Sequence, residues 1–334
     1  MAARSSTTAT GILAIGDSAL YLNSGSNNLA IGSRALRDNS TGTINLAIGR
    51  NAMESNTAAS QNIAIGESAL ANMSFGTGIL SNNVAIGYRS LFTLNPTATV
   101  SSGNQNTAVG VFSGDDMTTG FSNALFGYLA GNNLTTGSSN TFIGHTSGGA
   151  STGSQNTLIG ASTLASAAID NATALGFDAS VTQSNSMVFG NTTVTKWGFG
   201  TNTTAANILE FNNAITTARL TTGGVWTNAS DKNIKYNFSV LQGGDVLNRI
   251  MQLPVTRWSY KKEGTGITHI GPMAQDFYAL FGTGGDDKTI SSIDPSGVAL
   301  IGIQELKKEN DELKKELAEQ RKLIEKLLAL TGNK

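Results

Sequence analysis

A serine and a lysine stand five residues apart in the segment Ser230-Asp231-Lys232-Asn233-Ile234-Lys235. These are residue types from which a hydroxyl nucleophile and an amine base can be built, provided burial lowers the lysine's affinity for its proton. Taken alone, the spacing carries almost no weight, since a Ser-Asp turn or helix N-cap followed by a solvated lysine accounts for it. The other chemistry-bearing residues are sparse. The chain has no cysteine, which excludes a disulfide framework, a thiolate metal site and a cysteine nucleophile, and its two histidines, His145 and His269, are far apart. No metal and no cofactor is therefore expected. Asp115 and Asp116 are adjacent, and a turn between repeats explains them better than the separated carboxylate pair that glycosidases use.

Those residues are carried by a strongly periodic chain. Glycines at 16, 32, 49, 66, 87, 110, 127, 144, 160, 176 and 190 recur about every 17 residues, each preceded by a large apolar residue such as Ile15, Ile65, Phe126 or Leu175. Four residues before the glycine stands an asparagine in eight units: Asn28, Asn45, Asn62, Asn83, Asn106, Asn123, Asn140 and Asn156. One short strand per fixed period is the signature of a solenoid, whose coils must stack because none can bury its own apolar stripe. Period-two alternation in Ile63-Ala64-Ile65 predicts both isoleucines inward and Ala64 outward. The glycines are expected to supply turns, and the asparagines a ladder that satisfies buried backbone groups. Insertions at Met73–Leu80 and Asn95–Gly103 stretch the period and are candidate ligand-contacting loops, or plain surface loops.

Net charge is −1, with 13% of residues charged, so no basic field is available for nucleic acid or an anionic membrane. No apolar run is long enough to span a bilayer, so no membrane insertion is expected. Residues 1–6 lack the basic and apolar regions of a signal peptide; either the chain is assembled in the cytoplasm or an export signal is missing from it.

Four regions follow. Residues 1–195 form the repeat stalk, and 196–229 read as a β neck of short strands, with Trp197 and Trp226 (and, further on, Trp258) as core or neck anchors. Residues 230–297 form a small α+β domain, and 298–334 a coiled coil. In the last, seam positions alternate three and four apart at Ala299, Ile303, Leu306, Asn310, Leu313, Leu317, Gln320, Ile324 and Leu327. Asn310 and Gln320 interrupt the apolar seam, a device that fixes register and strand number at some cost in stability.

The repeats Asn28-Leu29-Ala30-Ile31-Gly32, Asn45-Leu46-Ala47-Ile48-Gly49, Asn62-Ile63-Ala64-Ile65-Gly66 and Asn83-Val84-Ala85-Ile86-Gly87 resemble the left-handed β-roll head of trimeric autotransporter adhesins. Later units such as Asn123-Ala124-Leu125-Phe126-Gly127 are bulkier. The C-terminal third presents, in order, Ser230-Asp231 with Lys235; Asp245–Leu253 with Pro254 and Val255; Trp258-Ser259-Tyr260; His269-Ile270-Gly271-Pro272-Met273-Ala274-Gln275-Asp276; a short turn at Ile293-Asp294; and a helix from Val298. This ordered set resembles the intramolecular chaperone auto-processing domain at the C-terminus of endosialidases and other phage tail spikes and fibres. Pro272 and the short loop Lys261–Gly266 depart from the pattern.

The resemblance implies a serine-lysine protease that cuts its own chain once, between Ala229 and Ser230, with Ser230 as nucleophile and Lys235 as general base. Asp231, His269 and Gln275 are possible supporting residues; for His269 and Gln275 a role at the trimer interface is the other reading. It also implies a homotrimer whose C-terminal domain brings three chains into register before release. The expected protein is mainly β: a β-solenoid, an α+β auto-processing domain and a trimeric coiled coil. Its expected place is a tail fibre of a phage or phage-like particle, with a baseplate and a host surface receptor or glycan as partners. The alternatives are an exported cell-surface adhesin with a permanent trimerisation cap, and a glycan-degrading tail spike.

Overall fold

The computed structural model describes residues 8–75, 80–96, 102–199, 207–212, 217–264 and 266–331. Parts of both candidate ligand loops, at 76–79 and 97–101, lie outside the described residues, as does the extreme N-terminus. The chain divides into two compact units, 1–228 and 229–334.

The first unit is a β-solenoid. Three-residue strands from Leu13–Ile15 to Met187–Phe189 stack in register into one 11-stranded parallel sheet. Leu29, Ala30 and Ile31 lie over Leu46, Ala47 and Ile48, and those over Ile63, Ala64 and Ile65. The asparagine ladder forms as expected. Each Asn Oδ1 accepts the backbone N–H of the asparagine one coil on: Asn28 from Asn45 at 2.9 Å, Asn45 from Asn62 at 3.0 Å and Asn62 from Asn83 at 3.0 Å. The ladder continues through Asn140, which accepts from Asn156 at 2.9 Å. All these asparagines are buried, and each link satisfies a donor that would otherwise cost about 1–3 kcal/mol unpaired. The glycine that ends each strand is dictated by stacking. Gly32 sits at φ +131°, and a Cβ there would stand 2.6 Å from the carbonyl of Gly49.

The facing of the strands is the reverse of the sequence expectation. Ala64 is 0% exposed and Ile63 37%, and the same pattern recurs at Ala30, Ala47 and Ala85. The coil interior is narrow, and its second wall already carries large side chains: Leu20, Leu36, Met53, Leu70 and Leu91, all fully buried. An alanine is what fits opposite them. Where the strand residue grows, the opposite wall shrinks. Leu125 and Phe142 are buried in the strand row, and a Cβ at Gly131 or Gly148 would run into those same two side chains. At Phe142 with Gly148 the bulk has changed sides within one coil, and at Ala108 with Gly114, where both residues are small, Leu91 and Leu125 of the flanking coils fill the space. The isoleucines are left on the outside, forming an apolar stripe along the sheet.

A four-stranded sheet follows, built from Trp197–Phe199, Asn207–Asn212, Thr217–Thr221 and Trp226–Asn228. Trp226 is largely exposed on it, whereas Trp197, though partly exposed, packs edge-on against Phe189 of the last solenoid strand with ring centroids 5.6 Å apart.

The second unit holds three helices, α1 (Gly243–Gln252), α2 (Ala274–Phe281) and α3 (Ile293–Thr331), with a two-stranded antiparallel sheet of Thr256–Trp258 and His269–Gly271. The long helix begins five residues earlier than the sequence suggests. Ile293 and Asp294 belong to its first turn, not to a separate turn; Pro295 is tolerated there because first-turn N–H groups need no intrahelical acceptor. Helix α1 packs on α3. Gly302 is buried beneath it, and a Cβ at that position would stand 2.6 Å from Ile250 Cδ1. The close approach explains a glycine inside a helix, where it costs about 1 kcal/mol against alanine.

Candidate functional site

Ser230 opens a single 3₁₀ turn, Lys232–Ile234, whose cap is Asp231. One Asp231 carboxylate oxygen accepts from both the backbone N–H and the side-chain amide of Asn233, each at 2.9 Å. The turn closes when the Lys235 N–H donates to the Lys232 carbonyl at 3.2 Å. The chain is thereby folded back on itself, and Lys235 Nζ donates to Ser230 Oγ at 2.6 Å. The two sequence-predicted chemical groups are in contact, and Asp231 acts on the turn between them. Ala229, Ser230 and Lys235 are all exposed within a single chain.

His269 and Gln275 lie elsewhere. His269, half-buried, is paired across the small sheet with Trp258, and its ring stands 4.6 Å from the Trp258 ring and 5.6 Å from that of Tyr260. Its Nε2 is 2.9 Å from Glu263 Oε2. Glu263 went unnoticed in the sequence, because only the pairing of the two strands brings their connecting loop onto the histidine. Gln275 is exposed in the first turn of α2, where it lines a groove with Trp258, Tyr260, Met273 and Ile290. Among the described residues no hydrogen bond links His269 or Gln275 to Ser230 or Lys235.

The seam positions of α3 are all exposed: Ala299, Ile303, Leu306, Asn310, Leu313, Leu317, Gln320, Ile324 and Leu327. Among the described residues no group of three or more His, Cys, Asp or Glu side chains is placed to hold a metal, and no helix is long and apolar enough to cross a membrane. In the solenoid, Asp115 is half-buried and ion-paired with Arg89 at 3.0 Å. Burial pushes its carboxyl upward from the ordinary value, against the downward pull of the Arg89 charge. Asp116 points to solvent.

The match to known families begins at the serine of this turn. Residues 230–285 match the family described as the chaperone of endosialidase. That family implies an autoproteolytic chaperone domain, and here the domain follows a β-solenoid in the chain, the layout of a tail-fibre-like or spike-like protein. The chaperone-of-endosialidase segment takes in the capped turn, α1, the small sheet and α2. Comparison with curated proteins and with solved structures returned no match.

Proposed function

We propose that this chain is a homotrimeric tail-fibre or spike-like structural or receptor-binding protein whose C-terminal domain assembles three copies and then cuts itself free between Ala229 and Ser230. The observation that carries the reading is the 2.6 Å hydrogen bond between Lys235 Nζ and Ser230 Oγ, made at the first residue of the chaperone-of-endosialidase match.

The chemistry is a single-turnover acyl transfer. Lys235, as the neutral amine, takes the proton of the Ser230 hydroxyl. Ser230 Oγ then bonds to the carbonyl carbon of Ala229, and the carbonyl becomes a tetrahedral oxyanion. Collapse breaks the Ala229–Ser230 C–N bond while the lysine ammonium returns its proton to the departing nitrogen. The result is an ester through Ser230 Oγ, which water hydrolyses to an Ala229 carboxylate and a free Ser230 amine.

Two surfaces support a homotrimer. The α3 seam exposes a three-four repeat of apolar side chains, the pattern of a coiled coil. The solenoid's outward stripe of Leu46, Ile48, Ile63 and Ile65, continuing through the stack, is apolar area that further copies would bury. Such a product belongs on a virion or phage-like particle, with a host surface receptor or glycan as its target. Asp115 and Asp116 are neighbours in the chain, one paired with Arg89 through Oδ2 and the other exposed, which favours a structural stalk over a glycan-degrading one that needs two separated carboxylates on either side of a sugar.

The test is denaturing electrophoresis with intact-mass measurement on the fresh full chain, Ser230→Ala and Lys235→Ala. Wild type is expected to split into two pieces, the smaller beginning at Ser230, while both variants stay whole. A wild-type chain that is trimeric yet uncut would reduce the C-terminal domain to a permanent trimerisation cap.

A further inference from the structure

Directly after the Ser230–Lys235 turn comes a segment that the chain leaves uncovered. From Lys235 to Gln242 no helix or strand is formed, and among the described residues Tyr236–Leu241 make no backbone hydrogen bond. Yet the sequence Ile234-x-Tyr236-x-Phe238-x-Val240 has the period-two apolar pattern of a half-buried strand. The side chains are far from buried: Tyr236 is 85% exposed, Phe238 73% and Val240 90%. Three large apolar groups in five residues, all facing water, make a surface that needs a partner.

The position of this arm says which partner. It is anchored at α1, whose first residue, Gly243, lies so close to α3 that a Cβ would collide with the Glu305 side chain. Glu305 and Gly302, the residues of α3 that meet α1, alternate along the helix with the exposed seam positions Ile303 and Leu306. The arm therefore leaves the domain beside the face that another copy's helix would occupy. Packed helices lie about 8–10 Å apart, and eight extended residues reach about 26 Å. A neighbouring copy is well within range.

That neighbour offers a receptor. The groove along the small sheet and α2 has a volume of about 620 Å³ and is walled by Trp258, Tyr260, Pro272, Met273 and Ile290, a size in the range of pockets that take aromatic groups. Trp258 also has an indole N–H that is buried with no acceptor, a group that normally finds one when buried.

We infer that the arm Tyr236–Val240 of one protomer docks in the Trp258–Met273–Ile290 groove of a second copy of this chain, covering its own Ser230–Lys235 turn as it does so. The inference rests on the homotrimer reading above. It supplies what a lone chain lacks: Ser230 and Lys235 are exposed, whereas a lysine acts as a base only after water is removed from its charged form. The arm ties that desolvation to assembly, so the cut waits until copies are in place.

Cross-linking tests this cleanly because the chain has no cysteine. On a Ser230→Ala background, which keeps the chain whole, a Phe238→Cys chain and a longer-tagged Met273→Cys chain are co-expressed, oxidised and run on non-reducing denaturing gels. Light scattering reports oligomeric state in parallel. The expected result is a covalent pair of one short and one long chain, absent when Met273→Cys is replaced by Lys322→Cys. A trimer in which the pair never forms, or in which only the Phe238→Cys/Met273→Cys double variant closes within one chain, overturns the inference while leaving the homotrimer standing. A monomer overturns both. As a second readout, Tyr236→Ser/Phe238→Ser/Val240→Ser in the cleavable chain is expected to slow self-cleavage by about tenfold or more, a part of the roughly 10²–10⁴-fold that a positioned general base contributes. Unchanged cleavage in that variant would also overturn it.

Discussion

Asp231 touches neither Ser230 Oγ nor Lys235 Nζ, yet it shapes the turn on which their contact depends. Its carboxylate holds the backbone and side-chain amides of Asn233, and that turn sends Lys235 back toward Ser230. Capping side chains of this kind contribute about 1 kcal/mol, and asparagine serves nearly as well as aspartate. Asp231→Ala is therefore expected to slow self-cleavage several-fold, and Asp231→Asn to restore most of it. Cleavage half-times from gel densitometry would compare the three proteins. Equal loss in the Ala and Asn variants would instead assign the carboxylate's charge, not its capping bonds, to the reaction.

Among the elements, the coil of the solenoid is a two-walled unit whose interior is shared with its neighbours. Alanine faces leucine or methionine in the early coils, leucine or phenylalanine faces glycine at Leu125 and Phe142, and between them Ala108 and Gly114 are both small, with Leu91 and Leu125 filling in from either side. Phe142→Ala should cost about 3–5 kcal/mol, as for other buried aromatics. Adding Gly148→Leu should recover a large part of that, because it recreates the arrangement of Ala30 with Leu36. Leu36 adopts φ +52° and Gly148 φ +70°, so the new leucine enters a conformation that this fold already imposes on leucines. Gly148→Leu alone should destabilise by overpacking against Phe142. Thermal unfolding of the four stalks completes the cycle, and strict additivity of the two changes would contradict the shared-volume account.

At the scale of the whole molecule, the outward isoleucines ask for further copies. Lysine at Ile48 and Ile65 alters neither the alanine core nor the asparagine ladder, since both side chains project from the coil. The double variant is expected to keep its β circular-dichroism signal but lose association of the isolated stalk in sedimentation. Its melting temperature should also lose the concentration dependence that oligomers show. If the lysine variant associates as wild type does, the stripe is not the contact face.

The solenoid was legible because its determinants are local and repeated. A glycine at each coil's corner, an asparagine that links one coil to the next and a strand of three residues each leave a mark in every period. The match of Ser230 and Lys235 was legible for a similar reason: five residues and one capped turn bring the groups together. What the sequence did not decide was the sign of the alternation in Ile63-Ala64-Ile65. Period two fixes that successive side chains oppose each other, but either face satisfies it; the volume of the opposite wall, set by residues six positions later such as Leu70, selects alanine for the inside. Nor could it place Glu263 on His269, seat Gly302 under Ile250, or reveal that Tyr236, Phe238 and Val240 stay uncovered. Each of those depends on segments distant in the chain meeting, or failing to meet, in space, and only the tertiary structure settles such encounters.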